Sequence, residues 1–193
     1  MMTRLFPAWM LMWTVATAAE WPEFRGPTGQ GLSNATRLPV EWSSEQNVVW
    51  KQAVPGSGWS SPVVSRGQLF LTTGIPNDAG GVSLRALACD AATGRLLWNT
   101  EIVSATEASV QPTHAKNSPA SPTPIIDGER IYVHFGHHGT ACLDRAGKIL
   151  WRNHQLGYDP VHGNGGSPAL VEHRLIINAD GNKNPFVAAL DKT

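Results

Sequence analysis

The stretch ASPTPIIDGERIYVHFG at residues 120–136 decides the fold, because it contains a short apolar run, a turn and a second apolar run. It continues into TACLD at 140–144 and RAGKILWRNHQL at 145–156. Apolar and polar residues alternate along the second run, as they do when successive side chains point to opposite faces of a strand. Asp127 and Gly128 occupy a position where a hairpin turn requires a positive φ. The segment therefore predicts four short strands joined by tight turns.

Two further stretches repeat this unit. SSPVVSRGQLFLTTG at 60–74 and GSPALVEHRLIINADG at 166–181 share its small residue, its Ser-Pro and its paired apolar runs. A strand that ends in Asp follows each stretch, and a glycine turn with a tryptophan strand follows the first two copies. Trp98 and Trp151 recur at an interval of about 50 residues, which matches one four-stranded blade of a β-propeller.

An earlier tryptophan segment, NVVWKQAV at 47–54, precedes the first repeat and is predicted to be a tryptophan strand as well. A β-sandwich also consists of short strands and turns, and it is the alternative fold. A sandwich has no reason to repeat Ser-Pro, Leu-Asp, glycine and tryptophan in register. We therefore predict an all-β fold, a partial β-propeller of about three four-stranded antiparallel blades with the last blade incomplete.

The third repeat reaches Leu190-Asp191 and stops before a glycine turn and a tryptophan strand. Closed propellers contain about 4 to 8 blades. We therefore expect the sequence to be a fragment of a longer chain. Alone, it is expected to expose sheet edges and apolar blade faces.

The charge balance excludes two classes of protein. The 193 residues contain 15 Lys+Arg and 15 Asp+Glu, which gives a formal net charge of zero. A nucleic-acid-binding protein or a polybasic protein of the membrane surface requires an excess of basic residues. We therefore expect no nucleic-acid partner.

Residues 1–19 are typical of a secretory signal peptide, with Arg4 before an apolar run from Leu5 to Ala16. A short membrane anchor is the alternative, although a membrane span needs about 20 apolar residues. We expect an exported protein, periplasmic or extracellular, without a membrane span after signal cleavage. Its N-terminal arm is predicted at 20–46 and its propeller domain at 47–193.

The two cysteines, Cys89 and Cys142, would then lie in an oxidising compartment. Their distances from the following Asp differ, so their side chains are predicted to point to opposite faces of their sheets. Two free, buried thiols are favoured, with a disulfide as the alternative, because bridged Cα atoms must lie within about 7 Å.

With these motifs the chain resembles the PQQ-like β-propeller repeat superfamily over roughly residues 47–193. WPEFRGPTGQGLS at 21–33 and the stretch at 113–136 also resemble exported bacterial members. Members include quinoprotein dehydrogenases, which bind pyrroloquinoline quinone (PQQ), and the outer-membrane assembly lipoprotein propeller, a scaffold that binds no cofactor. The resemblance implies that three tryptophans dock neighbouring blades against each other, namely Trp50, Trp98 and Trp151.

Five residues are candidates for a ligand-facing patch. His114, Lys116 and Asn117 precede the inner strand of the second repeat, while His162 and Asn164 lie in the glycine-rich loop before the third. Loops that lead into inner strands crowd the propeller axis, where binding sites often lie. The alternative role of these residues is to satisfy buried backbone groups.

Two clusters raise the question of a metal. His134, His137 and His138 could bind a transition metal, but no fourth ligand is visible, so a polar turn is favoured. DGNKN at 180–184 resembles the start of a calcium loop, but Pro185 stands where that loop requires glycine. We predict a hairpin loop there, and we predict neither a metal site nor catalytic residues.

The sequence favours a binding or scaffold module over an enzyme, with a protein or carbohydrate partner and no cofactor. The quinoprotein enzymes carry adjacent cysteines near their cofactor, and this chain has no such pair. The alternative is a fragment of a PQQ-dependent dehydrogenase that holds PQQ and calcium. A third candidate is the substrate-binding domain of an exported polysaccharide-processing system. In the N-terminal arm, Arg25 is expected to stack on Trp21 or to pair with an acidic residue.

Overall fold

The structure is a computed structural model that describes three segments of the chain, 20–36, 38–109 and 113–193. The predicted signal peptide lies outside the described residues. Strands dominate the fold, and its described helical segments are two single 3-10 turns, Glu107–Ser109 and Gly136–His138. In these three segments we find no helix with the length and apolar character that crossing a membrane requires.

The described residues form eleven strands in three antiparallel sheets, and within each sheet every strand pairs with the next one along the chain. The first sheet contains β1 (Val63–Ser65), β2 (Gln68–Pro76), β3 (Val82–Asp90) and β4 (Leu96–Ala105). The second sheet contains β5 (Ile125–Asp127), β6 (Arg130–His134), β7 (Thr140–Asp144) and β8 (Ile149–Asn153). The third sheet contains β9 (Ala169–Val171), β10 (Arg174–Ala179) and β11 (Phe186–Asp191). The prediction of three blades with an incomplete last blade is confirmed.

The sheets pack face to face, and the second sheet is buried on both sides. Ile131 and Val133 of β6 belong to an apolar cluster shared with the first sheet. Tyr132, the residue between them, belongs to a second cluster with Leu175 and Ile177 of the third sheet. Because neighbouring side chains of a strand point to opposite faces, one strand supplies both interfaces.

Both cysteines are buried and carry free thiols. Cys89 lies in β3 and Cys142 lies in β7, so they belong to different sheets. Burial raises the pKa of both thiols, that of Cys142 to about 11. Both therefore stay protonated at neutral pH and act as small apolar residues of the core.

The tryptophan strand predicted at 47–54 is not formed. This segment lies outside all three sheets. A strand needs a neighbour for its backbone N–H and C=O groups, and no described strand pairs with this segment. The alternation of its side chains was therefore not sufficient to make it a strand in this chain.

The structure also shifts the register of the second repeat. The inner strands β1, β5 and β9 begin two residues after Ser61, Thr123 and Ser167, so Thr123 rather than Ser121 is the structural equivalent. The backbone N–H of Ser61 donates to Thr123 Oγ1 at 3.0 Å, and that of Thr123 donates to Ser167 Oγ at 3.0 Å. Because Ser and Thr both provide the hydroxyl acceptor, the letters Ser-Pro alone indicated the wrong register.

The N-terminal arm is bound to the first two sheets. Trp21 exchanges two backbone hydrogen bonds with Val64 of β1, at 2.7 and 2.9 Å. Its neighbour Pro22 accepts a hydrogen bond of 2.8 Å from the backbone N–H of Ile126. The Arg25 guanidinium lies over the Phe24 ring, 5.4 Å from its centroid, whereas stacking on Trp21 or pairing with an acidic residue was expected.

Candidate functional site

One end of the sheets carries the longer loops. The loops that follow β2, β6 and β10 lie at the same end as the connections between sheets, because all of these segments follow strands that run in one direction. We name this end the connection face, and its described segments are 77–81, 106–109, 113–124, 135–139, 154–168 and 180–185. The opposite end carries the tight turns, including those at Gly67, Gly94, Gly128 and Gly147, all with positive φ.

Trp50 and Trp98 have equivalent surroundings on two successive sheets. The Trp50 indole N–H donates to the carbonyl of Ala91 at 3.1 Å, and the Trp98 N–H donates to that of Arg145 at 2.9 Å. Each acceptor follows the Asp that ends the third strand of a sheet. Each indole also lies on a glycine of that turn, so that a Cβ on Gly147 would lie 2.6 Å from Trp98 Cδ2. This geometry supports the proposal that both tryptophans dock neighbouring blades.

Trp151 differs from these two tryptophans. Its ring packs beside Tyr132 with centroids 6.1 Å apart, but its buried N–H has no hydrogen-bond partner among the described residues. The equivalent acceptor is the carbonyl of Lys192, which follows Asp191. That carbonyl accepts from the Tyr132 hydroxyl at 3.0 Å and from Arg130 Nη1 at 2.8 Å. A docking role for Trp151 therefore stays a prediction.

Arg145 joins the first two sheets, and no motif in the sequence indicates this role. Its guanidinium lies 5.3 Å from the centroid of the Phe70 ring. It donates to Gln68 Oε1 at 2.9 Å, to the Ser65 carbonyl at 2.6 Å and to the Gly128 carbonyl at 3.2 Å. A planar cation with several donors suits such a junction better than lysine would.

The structure brings three of the five candidate ligand-facing residues together. The backbone N–H of His114 donates to the His162 carbonyl at 3.3 Å, and Asn117 Nδ2 donates to the same carbonyl at 3.1 Å. The two imidazole rings meet edge to face with centroids 5.1 Å apart. Lys116 lies exposed beside them, with its backbone N–H bonded to His114 Nδ1 at 3.0 Å. The two connections between sheets are thus joined at the connection face.

Asn164 has a different environment and is 7% exposed. Its amide occupies the space where a side chain on Gly136 would lie, and Gly136 has a φ of 62°. Asn164 Nδ2 reaches the Phe135 carbonyl at 3.5 Å and His137 Nδ1 at 3.4 Å. Asn164 therefore joins the β6–β7 loop to the connection that follows β8.

The three histidines of the β6–β7 region do not converge on a common point. His134 is 1% exposed, with Nδ1 2.8 Å from Thr140 Oγ1 and Nε2 3.4 Å from the Tyr158 hydroxyl. The rings of His137 and His138 lie 3.9 Å apart in a 3-10 turn. In the described segments, no group of three or more His, Cys, Asp or Glu side chains is arranged to hold a metal ion.

Acidification is expected to destabilise the protein through His134. Burial, with a smaller contribution from His137, lowers the pKa of His134 to about 4, whereas a histidine in the unfolded chain has a pKa near 6.5. The unfolded state therefore binds a proton that the folded state excludes, and stability falls as the pH drops below about 6.5. Between pH 7 and pH 5 this histidine is expected to cost about 2 kcal/mol of unfolding free energy.

Urea unfolding at several pH values measures this loss. The variant His134→Asn, which retains an acceptor for Thr140, is expected to show a flatter dependence on pH than the parent protein. Equal slopes for the two proteins would contradict the prediction.

A cavity of about 420 Å³ lies at the connection face, beside the third sheet. Its lining combines the connection after β8 with the end of β10 and the loop that follows it. The lining residues are Tyr158, Val161, His162, Gly163, Asn164, Gly165, Gly166, Asn178, Asp180 and Gly181. Residues 180–185 form the predicted hairpin loop, which joins β10 to β11.

Stacked antiparallel sheets, with an indole of one sheet docked on the next, define the chain as a β-propeller repeat protein. A family model described as outer membrane protein assembly factor BamB (PQQ_2) matches residues 33–192, and the chain belongs to this family. No protein of curated function matches the chain in sequence.

Two solved structures of quinohemoprotein alcohol dehydrogenases show the same fold. The quinohemoprotein alcohol dehydrogenase ADHIIG of Pseudomonas putida HK5 has 16% sequence identity to this chain and a TM-score of 0.51. The match covers 74% of this chain and 20% of that enzyme. The quinohemoprotein alcohol dehydrogenase of Comamonas testosteroni has 17% sequence identity to this chain and a TM-score of 0.51. The match covers 72% of this chain and 20% of that enzyme. BamB of Moraxella catarrhalis has 15% sequence identity to this chain and a TM-score of 0.48. The match covers 75% of this chain and 36% of BamB. The chain thus spans between one fifth and about one third of these neighbours.

The chemistry of the cavity does not suit PQQ. PQQ carries three carboxylates, and an anionic ligand is bound best by arginine, lysine or a metal ion. The charged side chain in the described lining is Asp180, which is itself an anion. We therefore do not assign PQQ binding, or any PQQ-dependent reaction step, to this cavity.

Proposed function

We propose that the chain forms blades of an exported PQQ-like β-propeller that binds a protein partner through its connection face and acts as a scaffold. The observation that carries this proposal is the junction at His162, whose carbonyl accepts from both His114 and Asn117. This junction holds two loops from different sheets together and places Lys116 at the surface. Loops positioned by a rigid scaffold are where binding residues are commonly found.

Export is part of the proposal and is supported by the pattern of residues 1–19, with Arg4 before an apolar run. The family match to an outer-membrane assembly factor agrees with a place in the cell envelope.

We also propose that the chain is part of a longer propeller. Three observations support this proposal: the described third sheet has three strands, the Trp151 N–H has no described acceptor, and apolar side chains in the sequence segment before Trp50 face solvent. Val49 is 89% exposed and Trp42 is 70% exposed. A further blade would cover such residues and remove them from water.

Site-specific photo-crosslinking in the producing cell tests the proposed partner surface. A photoreactive amino acid at position 116 is expected to give discrete protein adducts. The same residue at position 148, in the β7–β8 turn at the opposite end of the sheets, is the matched control and is expected to give few. Adducts of equal yield at both positions, or none at position 116, would contradict the proposal.

The dehydrogenase alternative has a separate readout. The purified full-length protein is incubated with PQQ and Ca²⁺, and reduction of an electron-accepting dye is followed with a primary alcohol. Turnover in this assay would replace the scaffold proposal with the quinoprotein one.

A further inference from the structure

The cavity at the connection face has a size typical of small-molecule sites. Its volume of about 420 Å³ falls within the range of about 300–1,000 Å³ found for ligand pockets. It lies beside the His114–His162 junction, since His162 and Gly163 belong to its lining. Its walls come from the connection that follows β8 and from the end of β10 with its following loop, so the cavity forms only where these two segments meet.

The polar groups of this cavity call for a ligand that donates hydrogen bonds. Asn164 belongs to the lining, but its amide packs against Gly136 and its Oδ1 is closed off from solvent, so the accessible side-chain acceptor has to come from elsewhere in the lining. Asp180 adds a carboxylate at the exposed rim, and the described lining contains no lysine or arginine. This combination disfavours anions and favours hydroxyl donors.

The remaining wall is partly apolar and partly open. Tyr158 and Val161 provide an aromatic ring and an aliphatic side chain. Four residues of the lining are glycines, and a Cβ on Gly165 would meet no atom within 4 Å. A sugar ring presents both kinds of surface, since its C–H groups pack on apolar side chains while its hydroxyls donate to oxygen acceptors.

We propose that this cavity binds one end of a neutral oligosaccharide. Sugar hydroxyls donate to Asp180, and one face of a sugar ring packs against Tyr158 and Val161. A polyamine could pair with Asp180, but it would leave the apolar wall and most of the cavity unused. This inference stands apart from the proposed protein partner, because the cavity and the Lys116 surface can be altered separately.

The test starts with the full chain on an array of neutral oligosaccharides, and the strongest binder is then titrated by calorimetry. Gly165→Phe is expected to weaken binding at least about tenfold by filling the cavity, a change of about 1.4 kcal/mol. Gly157→Phe is the matched control, because Gly157 lies in the same connection, outside the cavity lining, and also has no atom within 4 Å of an added Cβ. It is expected to leave the affinity unchanged, and the melting temperature reports whether each variant is folded.

A second pair of variants separates sugar binding from cation binding. Asp180→Asn keeps an acceptor and is expected to weaken oligosaccharide binding by about fivefold, with little dependence on salt. Asp78→Asn, in the corresponding loop of the first sheet, is the control and is expected to have no effect. Spermidine is the cationic probe, and inorganic phosphate is the anionic one.

Three outcomes would overturn the proposal: no oligosaccharide binds, Gly165→Phe binds as well as Gly157→Phe, or spermidine or phosphate binds in place of sugar. Loss of sugar binding with unchanged crosslinking at position 116 would reject this inference alone. If a folded Gly165→Phe variant is not obtained, Gly165→Ala provides the same test with a smaller expected change.

Discussion

Gly147→Ala is expected to destabilise the protein by about 2–5 kcal/mol, because two costs combine at this position. Gly147 has a φ of 84°, in the left-handed region that an alanine adopts only with strain. In addition, the new Cβ would lie 2.6 Å from Trp98 Cδ2 and 3.0 Å from Thr100 Oγ1. The indole would have to move away from the turn, and its hydrogen bond to the Arg145 carbonyl would be lost.

Urea unfolding of Gly147→Ala is compared with that of Gly128→Ala. Gly128 lies in another turn of the same sheet, has a φ of 58° and has no atom within 4 Å of an added Cβ. It carries the backbone strain without the contact, so its expected cost is about 1–2 kcal/mol. The difference between the two variants measures how tightly Trp98 is docked on the second sheet. Equal losses would show that the Trp98 contact does not resist displacement.

Gly136→Ala is expected to have an effect of similar size, about 2–5 kcal/mol, by a different contact. The added Cβ would overlap the amide of Asn164, and Gly136 has a φ of 62°. Asn164 is buried between the β6–β7 loop and the cavity, so it cannot move aside without leaving its partner Phe135. This variant is therefore expected to separate the β6–β7 loop from the connection that follows β8.

A double-mutant cycle distinguishes this clash from simple backbone strain. Asn164→Ala removes the amide that Gly136→Ala would strike, so the double variant is expected to be more stable than the sum of the single losses predicts. Residues in direct contact typically show coupling of about 0.5–3 kcal/mol in such cycles. Additive losses would mean that the Gly136–Asn164 contact carries no coupling.

Several parts of the candidate site could be anticipated from the sequence. The glycines of the tight turns and the tryptophans about 50 residues apart marked the positions where successive sheets meet. The two connections that carry His114 and His162 were also expected to supply the binding face. The contact between His114 and His162, however, depends on how the second and third sheets pack, and residue spacing in the sequence contains no information about that packing.

Other parts were hidden for identifiable reasons. Arg145 looks like an ordinary turn residue, and its partners Gln68 and Ser65 lie far from it in the sequence. Asn164 was expected to lie in a loop that faces a ligand, whereas the structure places its amide against Gly136. The Ser-Pro motif indicated the wrong register in the second repeat, because Thr123 supplies the same hydroxyl acceptor.

The sequence alone determined the local architecture, namely short antiparallel strands, tight glycine turns and a repeat of one blade. This information is local, because alternation of side chains and turn geometry depend on residues only a few positions apart. The tertiary structure decided which tryptophan N–H finds an acceptor, whether residues 47–54 pair, and which side chains line the cavity. These features depend on partners from other sheets, and those partners come together only when the apolar faces of the blades are buried against each other.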